Sequence, residues 1–172
     1  MTGRSGDDAA LVRDWGAVVR GVDAVQHGFA LRLESMDMTL PYFSVLTLLL
    51  DSDEQRLPMS RIARDLAMTS GGFTKLADRM ARDGLIDRRG SSGDRRVVFA
   101  ALTDAGRERA HAALEVYQSY LHEQVLPVVP PPELRTLAEI AGRLTALAGE
   151  SDAVRFELTA RAGDETDRRG RD

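Results

Sequence analysis

The chain has 172 residues, 43% of them hydrophobic, with a formal net charge of −4 and no cysteine. That length corresponds to about one domain with a core of its own, and the missing thiols exclude disulfides and thiolate metal sites. No apolar run reaches the roughly 20 residues of a membrane span and the N-terminus lacks a signal-peptide pattern, so a cytoplasmic protein without membrane contact is expected.

Residues 9–35 predict a long helix, with Leu11, Trp15, Val18, Val19, Val22, Val25, Phe29 and Leu33 spaced for a buried stripe. Thr39-Leu40-Pro41 starts a second helix to about Leu50; it contains the most apolar stretch of the chain, Phe43–Leu50. Met59–Ala67 reads as a short third helix, with Pro58 suited to its start and Ile62, Ala63 and Leu66 on its apolar face. Met68-Thr69-Ser70 supplies a break and a new N-cap. A fourth helix follows from about Gly71 to Asp83, with Phe73, Leu76, Ala77 and Met80 inward. Gly84 ends it as a left-handed C′ glycine would. Two β-prone runs, Leu85–Arg88 and Val97–Leu102, flank a Gly, Ser and Asp loop and predict a hairpin. Thr103 can cap a helix from Asp104 to about Val125, broken at Pro127, with Leu114, Tyr117, Leu121 and Val125 apolar. Pro130-Pro131-Pro132 precedes a final helix, Glu133–Ala148, with Leu134, Leu137, Ile140, Leu144 and Leu147 in register. Residues 149–172 are polar and charge-mixed, and a disordered tail is expected there.

The outward face of the fourth helix carries Ser70, Gly71, Thr74, Lys75, Asp78, Arg79 and Arg82. Small polar residues at a helix N-terminus let it approach phosphates and base edges, while basic residues a turn or two later anchor to the DNA backbone. The hairpin adds Arg88, Arg89, Arg95 and Arg96, which suit a narrow, negative groove. Alone, the helix reads as a solvated amphipathic surface and the hairpin as a charged tip. Helix, turn, helix and arginine hairpin in succession is far more specific, and reads as a winged helix-turn-helix. Charge distribution agrees: residues 58–103 hold nine bases and five acids, a local +4, against 14 bases and 22 acids elsewhere. Local field, not net charge, steers a polyanion. The Gly71-Gly72 pair costs about 1 kcal/mol of helix propensity per residue, and fits either close backbone approach to phosphate or a frayed end.

Ser60-Arg61-Ile62-Ala63-Arg64-Asp65-Leu66, Thr74 through Arg89, Gly93-Asp94-Arg95-Arg96 and Leu102-Thr103-Asp104-Ala105-Gly106 resemble the MarR family of bacterial transcriptional regulators. The resemblance covers residues 9–148 and is strongest in 58–106. It implies a mainly α winged helix-turn-helix protein with a small β-hairpin wing. Residues 39–103 would form the DNA-binding lobe, and residues 9–35 and 104–148 the dimerisation helices. It implies further a homodimer on pseudo-palindromic promoter DNA, acting as a repressor released by a small ligand. Asp94 would pair with Arg96, and Arg96 would enter the minor groove. The expected DNA-contacting residues are Ser70, Gly71, Thr74, Lys75, Arg79, Asp94, Arg95 and Arg96. With no cysteine, the thiol-oxidation sensing of some relatives is excluded.

Relatives in that family bind aromatic or phenolic acids between the dimerisation helices and the DNA-binding lobe. Trp15, Arg20, His27, Tyr42 and Phe43 are the candidates to border such a cleft, with Met36 beside them, although packing or surface exposure explains each better. His111 and Glu115 stand at i and i+4 but lack a convergent third ligand, so neither a metal nor another cofactor is expected. Three histidines, no thiol, no glycine-rich phosphate loop and no Ser-His-Asp spacing argue against an enzyme. The alternative to a regulator is a winged-helix protein-interaction module without DNA binding.

Overall fold

The computed structural model describes residues 3–90 and 97–146. In chain order it contains α1 (Gly3–Glu34), α2 (Leu40–Leu50), β1 (Arg56–Pro58), α3 (Met59–Asp65), α4 (Ser70–Arg82), β2 (Ile86–Gly90), β3 (Val98–Leu102) and α5 (Asp104–Tyr120). A π-helical turn, Leu121–Val125, follows α5, and residues 131–146 form α6. The expected tail at 149–172 and the hairpin residues Asp94, Arg95 and Arg96 lie outside the described residues.

The chain divides into two compact units, Met1–Glu123 and Gln124–Asp172. In the first, the three strands form an antiparallel sheet in the order β1-β3-β2. β2 and β3 are the hairpin expected from sequence, with Ile86 opposite Leu102 and Gly90 opposite Val98. β1 was not expected. Its three residues, Arg-Leu-Pro, are too few to show alternation, and only pairing with β3 makes them a strand.

The core lies under α2, α3, α4 and the inner sheet face, with Val45, Leu46, Leu49, Ile62, Phe73, Leu76, Met80, Ile86 and Ala100 at 3% exposure or less. An aromatic cluster joins α1 and α2 to α5: Phe29 lies 4.9 Å from Phe43 and 4.4 Å from Tyr117 between ring centroids. The Tyr120 hydroxyl donates to the Val25 carbonyl at 3.0 Å, fixing α5 against α1.

The α1 stripe is only partly covered by its own chain. Phe29 and Leu33 are buried, but Leu11, Trp15, Val18, Val19 and Val22 are 41–68% exposed in the single chain. Helical periodicity marks an apolar face without saying whether the same chain covers it. α5 also ends earlier than Val125, because Pro127 has no amide hydrogen for the Glu123 carbonyl and the chain leaves through a wider turn. In the second unit, α6 carries Leu137, Ile140 and Leu144 at 39–42% exposure.

α3 stops at Asp65, two residues short of the expected Ala67, because Ala67 adopts a left-handed conformation (φ 51°). The Ala67 and Met68 amides then donate to the Arg64 and Ala63 carbonyls, closing the turn between α3 and α4. A Cβ in that region costs about 1–2 kcal/mol. Ala67→Gly should recover part of it, offset by the freer unfolded chain, and raise Tm by about 1–4 °C. Thermal unfolding checks this, and an unchanged or lower Tm would contradict it.

Candidate nucleic-acid interface

α4 is positioned at both ends by local bonds. At its start the Thr69 hydroxyl accepts from the Gly72 amide at 3.1 Å and the Thr69 carbonyl accepts from Phe73. Among the described residues, this leaves the Ser70 and Gly71 amides unmatched at the exposed, partly positive helix end. At its finish Gly84 (φ 73°) donates to the Ala81 carbonyl and Leu85 to that of Met80. Thr103 fastens this end to α5. Its hydroxyl donates to the Gly84 carbonyl at 2.7 Å and accepts from the Gly106 amide at 2.9 Å.

Between those ends Phe73, Leu76, Ala77 and Met80 are buried, and the remaining face is exposed. Ser70, Gly71, Thr74, Lys75 and Arg79, all expected from sequence as DNA-contacting residues, share that face. The Thr74 hydroxyl donates back to the Ser70 carbonyl at 2.8 Å, leaving its lone pairs outward. Among the described residues, neither Lys75 nor Arg79 forms an ion pair.

The hairpin lies beside this face. A groove of ≈ 250 Å³ between them is lined by Met59, Ser60, Thr74, Arg88, Val97 and Val98. The Arg88 guanidinium is ion-paired with Asp78 of α4, and Arg89 with Asp87 at 2.7 Å. Two of the four hairpin arginines are therefore engaged within the protein, and Arg88 ties the hairpin to the helix. Ten residues separate Asp78 from Arg88, so only the folded turn reveals the pair.

The candidate ligand residues are not brought together. Phe43 lines a cavity of ≈ 590 Å³ with Thr47, Leu48, Leu50, Leu66 and Leu114, and a smaller one of ≈ 160 Å³ with Phe29 and Tyr117. Trp15, Arg20 and His27 stand exposed on α1 and line neither cavity. Tyr42 is half-buried, and its hydroxyl donates to Asp83 Oδ2 at 2.7 Å. Burial, and then that bond, push the Tyr42 hydroxyl above its ordinary 10.0. Because the folded value exceeds the unfolded one, the bond stabilises fully at neutral pH and is lost only as pH rises beyond about 10. Among the described residues, no group of three or more His, Asp or Glu could hold a metal, and no helix is long and apolar enough to cross a membrane.

A family model described as the MarR family matches residues 36–97. Transcriptional regulator AdcR from Streptococcus pneumoniae is 31% identical over 99 residues, covering 56% of this chain and 66% of that protein. Another curated relative is spanned over only 40% of its length. Sco3205, a MarR family transcriptional regulator from Streptomyces coelicolor solved in complex with DNA, superposes with a TM-score of 0.72 at 23% identity, covering 80% of this chain and 86% of that one. NadR in complex with 4-hydroxyphenylacetate gives a TM-score of 0.66 at 19% identity, covering 75% and 89%. At these identities the structural likeness is one of fold.

Proposed function

The chain belongs to the MarR family of transcriptional regulators, and on that premise we propose that it is a homodimeric, sequence-specific double-stranded DNA-binding repressor, acting in the cytoplasm and released by a small ligand. The observation that carries the DNA-binding part is the uninterrupted exposed face Ser70, Gly71, Thr74, Lys75 and Arg79, with the hairpin fastened beside it. A helix of 13 residues is about 20 Å long, enough to lie in a major groove about 12 Å wide. Its N-terminal amides and Thr74 would meet phosphate and base edges, and Lys75 and Arg79 the backbone. On the motif resemblance Arg96 is assigned to the minor groove with Asp94 as its partner, and Arg95 to the same DNA contact.

The exposed apolar stripe of α1 supports the homodimer, since a second copy would cover Trp15, Val18, Val19 and Val22. Two-fold symmetry would then present two copies of α4 to a pseudo-palindromic site. The ligand-responsive part rests on the ≈ 590 Å³ cavity beside Phe43, large enough for an aromatic acid. NadR, of the same fold, holds 4-hydroxyphenylacetate. Among the five candidate ligand residues, Phe43 is the one this reading retains at the cavity.

Fluorescence anisotropy with duplexes from the DNA upstream of the protein's own coding sequence tests the proposal. Saturable binding is expected, preferring that DNA over scrambled duplex and weakening steeply as salt rises. Absence of any sequence preference at moderate salt would favour the protein-interaction module instead.

A further inference from the structure

Asp83 is a carboxylate at the end of a helix read here as binding a polyanion, and its neighbours on that helix include Arg79, one turn earlier, and Arg82. Spacing of i, i+4 would let Asp83 capture Arg79 and neutralise it. Among the described residues neither arginine is ion-paired, and the Asp83 carboxylate instead accepts from the Tyr42 hydroxyl at 2.7 Å across 41 residues of sequence. Both arginines lie near enough to Tyr42 to act on it electrostatically.

We propose that Tyr42 is a positioning residue for DNA binding: by engaging Asp83 it holds that carboxylate off Arg79 and Arg82 and ties the end of α4 to α2. The proposal rests on the DNA-binding reading above. It also assigns Tyr42 to the DNA-binding lobe and not to the ligand cleft expected from sequence. Phe43, the next residue, lines the ≈ 590 Å³ cavity, on the same helix as Tyr42.

The test compares wild type, Tyr42→Phe, Asp83→Asn and the double variant on the same upstream duplex across a salt series. Tyr42→Phe keeps the ring and removes the donor; affinity should fall about three- to tenfold, the range of one ordinary exposed hydrogen bond. The slope of log affinity against log salt should become shallower by about one phosphate contact, a readout that simple loosening of the fold would not move. In the Asp83→Asn background no carboxylate remains to capture Arg79, so Tyr42→Phe should cost less than twofold. Wild-type affinity and slope in Tyr42→Phe, or an equal loss in both backgrounds, would overturn the proposal. Hydrogen exchange on the DNA-free protein supplies a second arm: the Gly84 and Leu85 amides should exchange about three- to tenfold faster in Tyr42→Phe. Unchanged exchange would refute the tie between α2 and α4. A wild type that binds no duplex would overturn the proposed function instead, and the exchange arm would still decide the tie.

Discussion

Replacing Gly106 with alanine is expected to destabilise the protein by about 3 kcal/mol or more, lowering Tm by about 6–12 °C. A Cβ built on Gly106 overlaps the Leu85 carbonyl oxygen and falls 2.9 Å from its carbon, and both belong to backbone. Leu85 cannot retreat cheaply, because that oxygen accepts from the Thr103 amide at 3.2 Å and Leu85 also closes the cap of α4. The substitution must therefore separate α5 from the end of α4 or break the Thr103 bonds. Gly21→Ala is the matched control, since a Cβ there meets nothing within 4 Å and alanine favours the helix by up to about 1 kcal/mol. Chemical denaturation of both variants checks the pair. A Gly106→Ala protein as stable as wild type would mean that the close approach between α5 and Leu85 is wrong.

The double substitution Lys75→Ala and Arg79→Ala should weaken DNA binding about 30- to 100-fold and reduce the salt slope by about two. Both residues are exposed, one helical turn apart, and like charges at i, i+4 disfavour the helix by a few tenths of a kcal/mol. Stability should stay within about 0.5 kcal/mol of wild type or rise slightly. Opposite signs for binding and stability mark a surface kept for a partner. Anisotropy and thermal unfolding on the same preparation measure both, and an unchanged affinity would remove these residues from the interface.

The elements that place the interface were legible in sequence wherever the determinants are local. Thr69 and Gly84 bracket α4 because a capping hydroxyl and a left-handed glycine act within four residues. Thr103 and Gly106 follow the same logic at α5, although the contact that requires Gly106 comes from Leu85, 21 positions earlier. What could not be read depends on distant partners. The hydroxyl of Tyr42 meets Asp83, and Arg88 meets Asp78, only after the helix-turn-helix has closed. The α1 stripe was legible as an apolar face of a dimerisation helix, and within the single chain only its Phe29 and Leu33 end is covered. Spacing reports a face, and Trp15, Val18 and Val22 have none of their own unit's core over them. β1 escaped notice for the same reason, since its pairing with β3 is set by the sheet and not by its own three residues.

On the proposed function, the exposed face of α4 meets the double helix. Hydrogen exchange of the protein with and without its upstream duplex tests this directly. Slower exchange is expected across Ser70–Arg79, greatest at the outward Ser70 and Gly71 amides, with Lys75 and Arg79 side chains shielded from chemical modification. Protection elsewhere on the molecule, with the amides and side chains of α4 unaffected by saturating duplex, would contradict it.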